Sequence, residues 1–360
     1  MASVKPSLVV TGVAGNLGAR LLPLLEGFNV IGVDLHPPST SVPLVFESID
    51  LGQESSCVRL AQILRETRAV GVVHLAFVLD PLKMNILDRE RMWRINVAGT
   101  ARVLEAIAEA NRMGGKAAKF VHLSSVAVYG PNPRRPALES DPLDAHTLTY
   151  AVHKREADMA VQSRVKDLGA CSVYLLRPQI FSGPSVQNYM IDCLRGTAYG
   201  RGRLGKRLKQ QGKRLPFVFP YGGRYLQNKV QLAHVDDVAR LIAWTLARPK
   251  EKEPLTILNV AGRGEPMTVA EAIRLTAASV KRLPTAALCR QIIRLMWKLG
   301  ATSIPPDAFP YLIGSYPMDT GKLKKFLGND YEQVIQYSTE AALMDAMKAV
   351  PQPSSKTQTA

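Results

Sequence analysis

Tyr150 and Lys154 stand four positions apart in the segment Tyr150-Ala151-Val152-His153-Lys154. On a helix, residues i and i+4 share a face, so this spacing would set an ammonium beside a phenol. A tyrosine titrates near pH ~10 in water, and a neighbouring positive charge favours the phenolate and lowers its pKa. A phenol tuned in this way can pass a proton to or from a substrate hydroxyl at neutral pH. The same spacing also occurs by chance on solvated helix faces, so its meaning depends on the elements around it.

A glycine-rich segment near the N-terminus, Thr11-Gly12-Val13-Ala14-Gly15-Asn16-Leu17-Gly18, supplies that context. It follows a strand-like apolar run, Ser7–Val10, and precedes Asn16–Glu26, where leucines recur at helical spacing. Glycines here permit a tight turn, let the backbone approach a pyrophosphate, and allow the helix to pack closely on the strand. The pyrophosphate then lies at the helix N-terminus, where free N–H groups favour negative charge. The segment therefore predicts a nucleotide site that includes Gly12, Gly15, Asn16, Leu17 and Gly18.

An acidic residue ends the next strand-like segment, Val30-Ile31-Gly32-Val33-Asp34. Asp34 lies 16 residues past Gly18, close to where a carboxylate accepts hydrogen bonds from the adenosine ribose of a dinucleotide. A carboxylate there would repel a 2′-phosphate, so the sequence favours NAD over NADP. The alternative is that Asp34 caps a turn at the end of the strand.

The first 180 residues alternate strand-like and helix-like segments. Repeated β-α units predict an α/β fold with a doubly wound parallel sheet of Rossmann type, covered by helices on both faces. In such sheets ligands bind at the carboxyl ends of the strands, where both the glycine turn and the hydroxyl pair Ser124-Ser125 fall. The predicted strands are Leu8–Thr11, Asn29–Val33, Leu44–Glu47, Val70–Leu75, Lys119–Ser124 and Ser172–Leu176, and the predicted helices are Asp88–Arg112 and Thr147–Lys166.

The character of the chain changes after Gly183-Pro184. No acidic residue occurs from Leu194 to Val235, and Gly and Pro interrupt this basic stretch, which is typical of a loop-rich region covering a substrate. A strand over Thr256–Val260 and a helix over Thr268–Lys281 are predicted further along. We therefore divide the chain into an NAD-binding domain (1–183, to which residues 230–262 return), a smaller C-terminal substrate-binding region (184–350) and a disordered tail (351–360).

Composition limits the class of protein. The chain has 360 residues, 46% of them hydrophobic, which is enough for a sizeable core. No run of about 18 apolar residues occurs, so a transmembrane helix is not expected. The four Cys are scattered without C-x-x-C spacing and predict reduced thiols in a cytoplasmic protein, and the six dispersed His give no metal site.

The motifs described so far belong to a longer ordered series. It comprises Thr11 to Gly18, Asp50-Leu51, His74-Leu75-Ala76-Phe77, Asn96 to Thr100, Ser124 to Gly130, Tyr150 with Lys154, Arg177-Pro178 and His234 to Ala239. The series resembles the extended short-chain dehydrogenase/reductase family, the group of NAD-dependent sugar-nucleotide epimerases and dehydratases. The resemblance covers roughly residues 5 to 330.

The resemblance implies a role for each matching residue. Tyr150 would be the general base in oxidation and the acid in reduction, while Lys154 would bind the nicotinamide ribose and depress the Tyr150 pKa. Ser125, with Ser124 as the second choice, would hydrogen-bond the reacting oxygen. Hydride exchange belongs to NAD itself. The cofactor-binding residues implied are Gly12, Gly15, Asn16, Leu17, Gly18, Asp34, Asp50, Leu51, Leu75, Ala76, Asn96, Ser124, Tyr150 and Lys154.

Two positions depart from the family pattern and concern the small-molecule substrate. Ile180 stands where these enzymes usually carry an Asn, and Val230 where they carry an Arg that contacts the substrate's diphosphate. The adjacent Lys229 cannot make the two-pronged contact of a guanidinium. Sugar-nucleotide epimerisation therefore stays open beside dehydrogenation of a hydroxysteroid-like or lipid alcohol. Dehydration is disfavoured, since dehydratases of the family carry Thr at the Ser position with an acidic residue beside it. A non-catalytic NAD-binding sensor would be expected to have lost the Tyr–Lys pair.

The formal net charge of +16 is high for a metabolic enzyme. Residues 201–214 hold seven cations, and residues 288–299 have the pattern of a basic amphipathic helix. We prefer the interpretation that its apolar stripe enters the core and its charges are solvated. The alternative is peripheral contact with an anionic membrane, or a lipid-like or anionic substrate. Nucleic-acid binding is not predicted, because interleaved aromatics are missing. A homodimer is suggested by analogy with the fold alone. The proposed stripe is Leu288, Ile292, Leu295 and Leu299, and the opposite basic face is Arg290, Arg294 and Lys298.

Overall fold

The computed structural model describes residues 5–79 and 88–348. The predicted tail, 351–360, lies outside the described residues. The strands are β1 (Ser7–Thr11), β2 (Asn29–Asp34), β3 (Val45–Ser48), β4 (Gly71–His74), β5 (Lys119–Leu123), β6 (Ser172–Pro178), β7 (Ile180–Ser182), β8 (Phe217–Pro220), β9 (Lys229–Val230), β10 (Leu232–His234), β11 (Leu255–Val260), β12 (Met267–Thr268) and β13 (Val280–Leu283).

The α-helices connect and cover these strands. They are α1 (Asn16–Leu21), α2 (Ser55–Glu66), α3 (Arg89–Trp93), α4 (Gly99–Arg112), α5 (Thr149–Arg164), α6 (Tyr189–Arg195), α7 (Arg203–Gln210), α8 (Gly223–Gln227), α9 (Val235–Ala247), α10 (Val269–Thr276), α11 (Ala286–Lys298), α12 (Phe309–Ile313), α13 (Gly321–Leu327), α14 (Tyr331–Val334) and α15 (Thr339–Met347). A π-helical segment, Arg94–Ala98, joins α3 to α4, so that the predicted long helix is continuous in the structure.

Within the described residues, seven strands form one parallel sheet in the order β11-β6-β5-β4-β1-β2-β3. The predicted Rossmann-type fold is therefore confirmed. The chain leaves β1 towards β2 on one side and returns to β4 on the other, so the strand order reverses beside β1. A crevice opens at such a reversal, at the carboxyl ends of the strands.

The sheet has a hydrophobic core on each face, as expected for parallel strands buried on both sides. On one face, Leu8 and Val10 of β1 pack with apolar side chains of α1 and α9. On the other face, Val9 packs with side chains of α2 and α4. All three β1 residues are fully buried, which explains why the strand consists of continuous apolar residues rather than an alternating pattern.

Two local predictions are wrong in part. The helix predicted over Thr268–Lys281 ends at Thr276, where Ala277 turns into the left-handed region at φ +47°. Residues Val280–Leu283 instead form β13, which pairs in parallel with β8. Strand β8 is apolar and buried, so its backbone N–H and C=O groups require hydrogen-bond partners within the protein. The region from Leu194 to Val235 is also more regular than a loop, since it contains α7, α8 and β8.

The preferred interpretation of the basic amphipathic helix is wrong as well. The helix exists as α11, but its buried face carries Cys289 and Ile293. The proposed core stripe points outwards instead: Leu288 is 37% exposed, Leu295 58% and Leu299 57%. Periodicity shows that a helix has an apolar stripe, but not which of two possible faces the rest of the protein covers.

Beneath the carboxyl ends of β4 and β5, two fully buried imidazoles lie with ring centroids 5.3 Å apart. His74 contacts the hydroxyls of Thr11 (2.6 Å) and Thr100 (3.1 Å). Neither ring nitrogen of His122 has a hydrogen-bond partner among the described residues. Burial lowers the pKa of His74 from 6.5 to about 3, and burial together with His74 lowers the pKa of His122 well below 6.5. Both rings are therefore neutral in the folded protein near neutral pH.

These imidazoles should make the protein sensitive to acid. Below pH 6.5 the unfolded chain protonates both rings while the folded chain does not, so the unfolded state binds more protons and stability falls as pH drops towards 3. The free energy of unfolding should therefore fall with decreasing pH, and we expect His122→Phe to reduce the slope of this fall by about 1.4 kcal/mol per pH unit. Urea unfolding between pH 4.5 and 7.5 measures it. The matched control His146→Gln, which removes an exposed imidazole, should keep the wild-type slope. A wild-type slope in His122→Phe would contradict the assignment.

Candidate active site

The glycine turn passes directly over the ends of β1 and β4. Gly12 has φ +73°, and a Cβ at that position would collide with the backbone of Ala76 after β4. The Gly12 N–H donates to the Val33 carbonyl of β2 at 2.8 Å. A Cβ at Gly18 would likewise collide with the Val13 carbonyl. The turn is therefore held against β2 and the segment after β4 by backbone contacts, and larger residues at Gly12 or Gly18 would prevent this packing.

The start of α1 is open to a ligand. Ala14, Gly15 and Asn16 are exposed, and no side chain caps the first N–H groups of the helix. These uncapped donors, together with the close glycine backbone, fit a dinucleotide diphosphate. Leu17, in contrast, is buried at 7% exposure and holds α1 against the core.

Asn16 also makes a contact that its sequence position does not predict. Its amide donates to the Ser185 hydroxyl at 2.8 Å, and Arg20 of the same helix donates to that hydroxyl at 2.8 Å. Arg20 forms an ion pair with Asp236 of α9 at 2.6 Å. Helix α1 is thus hydrogen-bonded to the segment that follows Gly183-Pro184.

Asp34 lies at the end of β2 beside the glycine turn. Its carboxylate accepts hydrogen bonds from the N–H groups of Ala14 (3.0 Å) and Leu35 (2.7 Å). The side chain therefore does cap a turn, as the alternative interpretation expected, and it also orients the glycine loop. Each carboxylate oxygen has a further lone pair, so ribose hydroxyls can still donate to it.

The other residues proposed to contact the cofactor border this crevice or support it. Asp50 accepts from the Gly52 N–H at 2.8 Å, and Leu51 is buried against Gly99 of α4. The Leu75 N–H donates to the Thr11 carbonyl at 3.0 Å, which places Leu75-Ala76 next to the glycine turn. Asn96 is fully buried in the π-helical segment. Its amide pairs with both backbone groups of Val78, at 2.7 and 3.1 Å, so it fixes the segment after β4.

The two adjacent serines after β5 have different surroundings. The Ser124 hydroxyl donates to Asp158 at 2.6 Å, and Asp158 is held by two hydrogen bonds from Arg177, each 2.9 Å long. Both members of this ion pair are almost completely buried. The Ser125 hydroxyl instead accepts from the Ala127 N–H at 3.2 Å and lies near the Tyr150 phenol, whose pKa it lowers. Of the two serines, Ser125 is the one beside the phenol.

Tyr150 and Lys154 lie on α5, one turn apart, as their spacing predicts. Burial raises the pKa of the Tyr150 phenol to about 12, and the neighbouring Ser125 side chain opposes this rise. Burial lowers the pKa of the Lys154 ammonium to about 7, opposed by the charge of Asp158. The expected lowering of the Tyr150 pKa by Lys154 is therefore not seen, because burial outweighs every other contribution to that pKa.

Phe77 is a site residue that sequence reasoning did not assign. Its ring meets Tyr150 edge to face, with centroids 5.8 Å apart, and the Lys154 ammonium lies 3.6 Å from its centroid. Lys154 also donates to the Leu123 carbonyl at 2.6 Å. The Phe77 ring thus contacts both Tyr150 and Lys154, and its contact with Lys154 is a cation–π interaction. The only signal in the sequence was its place directly after Leu75-Ala76.

Apolar and aromatic side chains pack around Tyr150 and the segment that carries Ser125. Ile180 and Leu148 pack with Tyr150 in one cluster that also contains Tyr311 and Tyr316. The Tyr311 hydroxyl donates to the Ala127 carbonyl at 3.1 Å, which ties α12 to the segment carrying Ser125. Val230 is 5% exposed and belongs to the core of the C-terminal region. Both positions that depart from the family pattern are therefore in apolar surroundings.

Neither a metal cluster nor a membrane-crossing helix was found in the described part of the chain. Residues 5–79 and 88–348 contain no group of three His, Cys, Asp or Glu placed to hold a metal ion. No helix in these residues is both long enough and apolar enough to cross a bilayer.

A parallel sheet with a glycine turn after its first strand and a Ser–Tyr–Lys cluster after its fifth defines a Rossmann-type dinucleotide-binding protein. The chain belongs to the NAD dependent epimerase/dehydratase family, whose model matches residues 8–261. The family resemblance seen in the sequence is thereby confirmed, and the chain belongs to a family of NAD-dependent enzymes.

Solved structures of this family share the fold. UDP-glucose 4-epimerase of Thermus thermophilus, in complex with NAD, is 21% identical with a TM-score of 0.64, covering 96% of this chain and 100% of its own. UDP-glucuronic acid 4-epimerase of Bacillus cereus, with UDP-glucuronic acid and NAD, is 19% identical with a TM-score of 0.63, covering 95% and 97%. The dTDP-glucose 4,6-dehydratase DesIV of Streptomyces venezuelae is 22% identical with a TM-score of 0.62, covering 89% and 91%.

Proposed function

We propose that this protein is an NAD-dependent oxidoreductase that exchanges hydride at a secondary alcohol or ketone. The observation that carries the proposal is the placement of Tyr150 and Lys154 one helical turn apart on α5, with both side chains in contact with the Phe77 ring after β4. Family membership supports the use of NAD, and the glycine turn and the open start of α1 fit its diphosphate. Asp34 is placed to accept from the adenosine ribose, which favours NAD over NADP.

The three side chains divide the proton chemistry among them. When the ketone is reduced, the protonated Tyr150 phenol gives its proton to the developing alkoxide and becomes the phenolate. When the alcohol is oxidised, that phenolate takes the hydroxyl proton, and Ser125 donates a hydrogen bond to the oxygen as its charge develops. The Lys154 ammonium stabilises the phenolate during this exchange, and its pKa of about 7 makes its charge sensitive to pH near neutrality. NAD, when bound, supplies the hydride acceptor and donor.

Two substrate classes follow from different observations. The UDP-glucose and UDP-glucuronic acid 4-epimerases with the same fold favour a sugar nucleotide that is oxidised and then reduced at one carbon. The apolar surroundings of Ile180 and Val230, together with the aromatic side chains packed around Tyr150, favour a lipid-like or hydroxysteroid-like alcohol. Each class predicts a different fate for the hydride: an epimerase returns it to the substrate, whereas a dehydrogenase releases NADH.

A substrate screen with two readouts tests the proposal. The protein is incubated with NAD and either UDP-sugars or hydroxysteroids, while products are separated and NADH is followed by absorbance. A new UDP-sugar without NADH accumulation indicates epimerisation, and NADH formed in step with a ketone indicates dehydrogenation. Calorimetry with NAD and NADP should show tighter binding of NAD. NAD binding without turnover of any alcohol would contradict an enzymatic function and would favour a non-catalytic sensor.

A further inference from the structure

Helix α11 presents an apolar stripe to solvent although its opposite side is well packed. Cys289 and Ile293 fill the core, while Leu295 and Leu299 remain more than half exposed at 58% and 57%. Arg294 and Lys298 stand beside these leucines on the same outward side and are exposed. The exposed side of α11 is therefore itself amphipathic.

Helix α7 extends this exposed surface. The Gly202 N–H donates to the Gly300 carbonyl at 3.0 Å, and the Gly200 N–H donates to the Ala301 carbonyl at 2.9 Å. These bonds hold the start of α7 against the end of α11, directly beside Leu299. In α7 only Gly205 is buried, and Leu204 is 43% exposed. We call the exposed side chains of α7 and of the end of α11, with the flanking Arg201 and Leu299, the α7/α11 surface; it consists of Arg201, Arg203, Leu204, Lys206, Arg207, Lys209, Arg294, Leu295, Lys298 and Leu299.

The charges of this surface are not neutralised within the chain. None of its seven cations forms an ion pair with a carboxylate in residues 5–79 or 88–348, whereas the neighbouring Arg290 pairs with Asp307 at 3.3 Å. No acidic residue occurs from Leu194 to Val235. A second copy of the chain would bring the same positive charge, so self-association through this face is opposed by repulsion.

We propose that the α7/α11 surface binds the surface of an anionic lipid bilayer. Anionic headgroups would match the cations, and the exposed leucines would enter the boundary between headgroups and acyl chains. A nucleic acid would satisfy the charges but would leave the leucines in water. A lipid surface accounts for both kinds of side chain.

The position of α11 connects the proposed membrane contact to a cavity. Ala286, Ala287 and Arg290, in the first half of the helix, line a cavity of about 550 Å³ together with Phe309 and Ile313 of α12. Helix α12 also carries Tyr311, whose hydroxyl donates to the Ala127 carbonyl in the segment that carries Ser125. A bilayer bound at the α7/α11 surface would therefore hold this cavity close to lipid. Uptake of a substrate from lipid through this cavity rests on the proposed function with a lipid-like alcohol, whereas the membrane contact itself does not.

Vesicle co-sedimentation of the full chain tests the proposal. We expect binding to vesicles of phosphatidylcholine with phosphatidylglycerol, and little binding to phosphatidylcholine alone. Arg294→Gln/Lys298→Gln should lower the partition coefficient by about 25-fold, since each basic residue contributes about 5-fold. Leu295→Gln/Leu299→Gln should lower it by about tenfold and keep its salt dependence.

Matched controls come from exposed positions on the Rossmann domain. Lys116→Gln/Lys166→Gln removes two charges, and Val58→Gln removes an apolar side chain that is 68% exposed. Lys116→Gln/Lys166→Gln should lose less than half as much binding as Arg294→Gln/Lys298→Gln, and Val58→Gln should bind like the wild type. Equal losses in the controls and the surface variants would overturn the proposal, because net charge alone would then explain binding.

Two other results would also overturn it. Binding to duplex DNA without binding to anionic vesicles would assign the surface to a nucleic acid. A dimer in sedimentation velocity that is lost in Leu295→Gln/Leu299→Gln, without vesicle binding by the wild type, would assign the surface to a second copy. Turnover of a soluble substrate without vesicles should be unchanged in the surface variants. Failure of the proposed enzymatic function would thus leave the vesicle results intact, and the two failures can be distinguished.

Discussion

Tyr150→Phe is expected to lower kcat by about 10²–10⁴-fold while NAD affinity stays within about 3-fold of the wild type. The change removes the phenolic hydroxyl but keeps the ring, whose centroid lies 5.8 Å from that of Phe77 in an edge-to-face contact. The cofactor crevice should therefore keep its shape while the proton donor and acceptor is lost. Steady-state kinetics and calorimetric NAD titration measure the two effects separately.

A matched hydroxyl deletion is available in the same aromatic cluster. Tyr311→Phe removes the hydroxyl that donates to the Ala127 carbonyl, and this hydroxyl has no place in the proposed chemistry. Its kcat should stay within about tenfold of the wild type, because the loss is that of one neutral hydrogen bond. A Tyr150→Phe protein with the same kcat as Tyr311→Phe would contradict the assignment of Tyr150 as the acid–base group.

Arg177→Met is expected to have the largest effect on stability, a loss of about 3–5 kcal/mol in the free energy of unfolding. The guanidinium donates two hydrogen bonds to Asp158, and the two side chains are 1% and 0% exposed. Its removal leaves a buried carboxylate whose remaining hydrogen-bond donors, Ser124 and Gln162, are neutral. Equilibrium urea unfolding measures the loss.

The exposed pair Arg135–Asp141, 2.7 Å long, provides the control for this prediction. Arg135→Met should cost no more than about 1 kcal/mol, because water screens an exposed ion pair. The double variant Arg177→Met/Asp158→Leu should regain much of the stability lost by the single variant, because both charges are then gone. If Arg177→Met cost no more than Arg135→Met, the buried pair would be of little importance to the fold.

The sheet was predictable from the sequence because its strands are buried on both faces. The run Leu8–Val10 is continuously apolar, and the observed β1 (Ser7–Thr11) differs from the predicted Leu8–Thr11 by one residue. The parallel arrangement followed from the alternation of strands and helices, and the ordered motifs identified the family. These signals are local, so they can be recognised without knowledge of what packs against them.

Elements whose conformation depends on distant partners could not be predicted in this way. Val280–Leu283 is a strand because β8 pairs with it, and no property of its own segment indicated this. The exposed stripe of α11 was likewise assigned to the core, because two faces of that helix carry apolar residues and only the folded protein selects one.

The same limit applies within the site. Consecutive residues after a strand point in different directions, but the sequence does not state which of Ser124 and Ser125 faces the ligand. The structure distinguishes them through Asp158, which engages Ser124 from one turn beyond Lys154. Phe77 was missed for a related reason: its contacts with Tyr150 and Lys154 join residues more than 70 positions apart in the chain.

The backbone bonds between Gly200–Gly202 and Gly300–Ala301 have a consequence for how a partner would be recognised. They fix α7 against α11 before any contact is made, so the leucines and cations of this surface keep a constant spacing. Peptides that fold only on meeting a bilayer must first lose conformational entropy, which weakens their binding. A surface that is already ordered avoids this loss, and its selectivity would lie in the charge and packing of the lipids rather than in the folding of the helix.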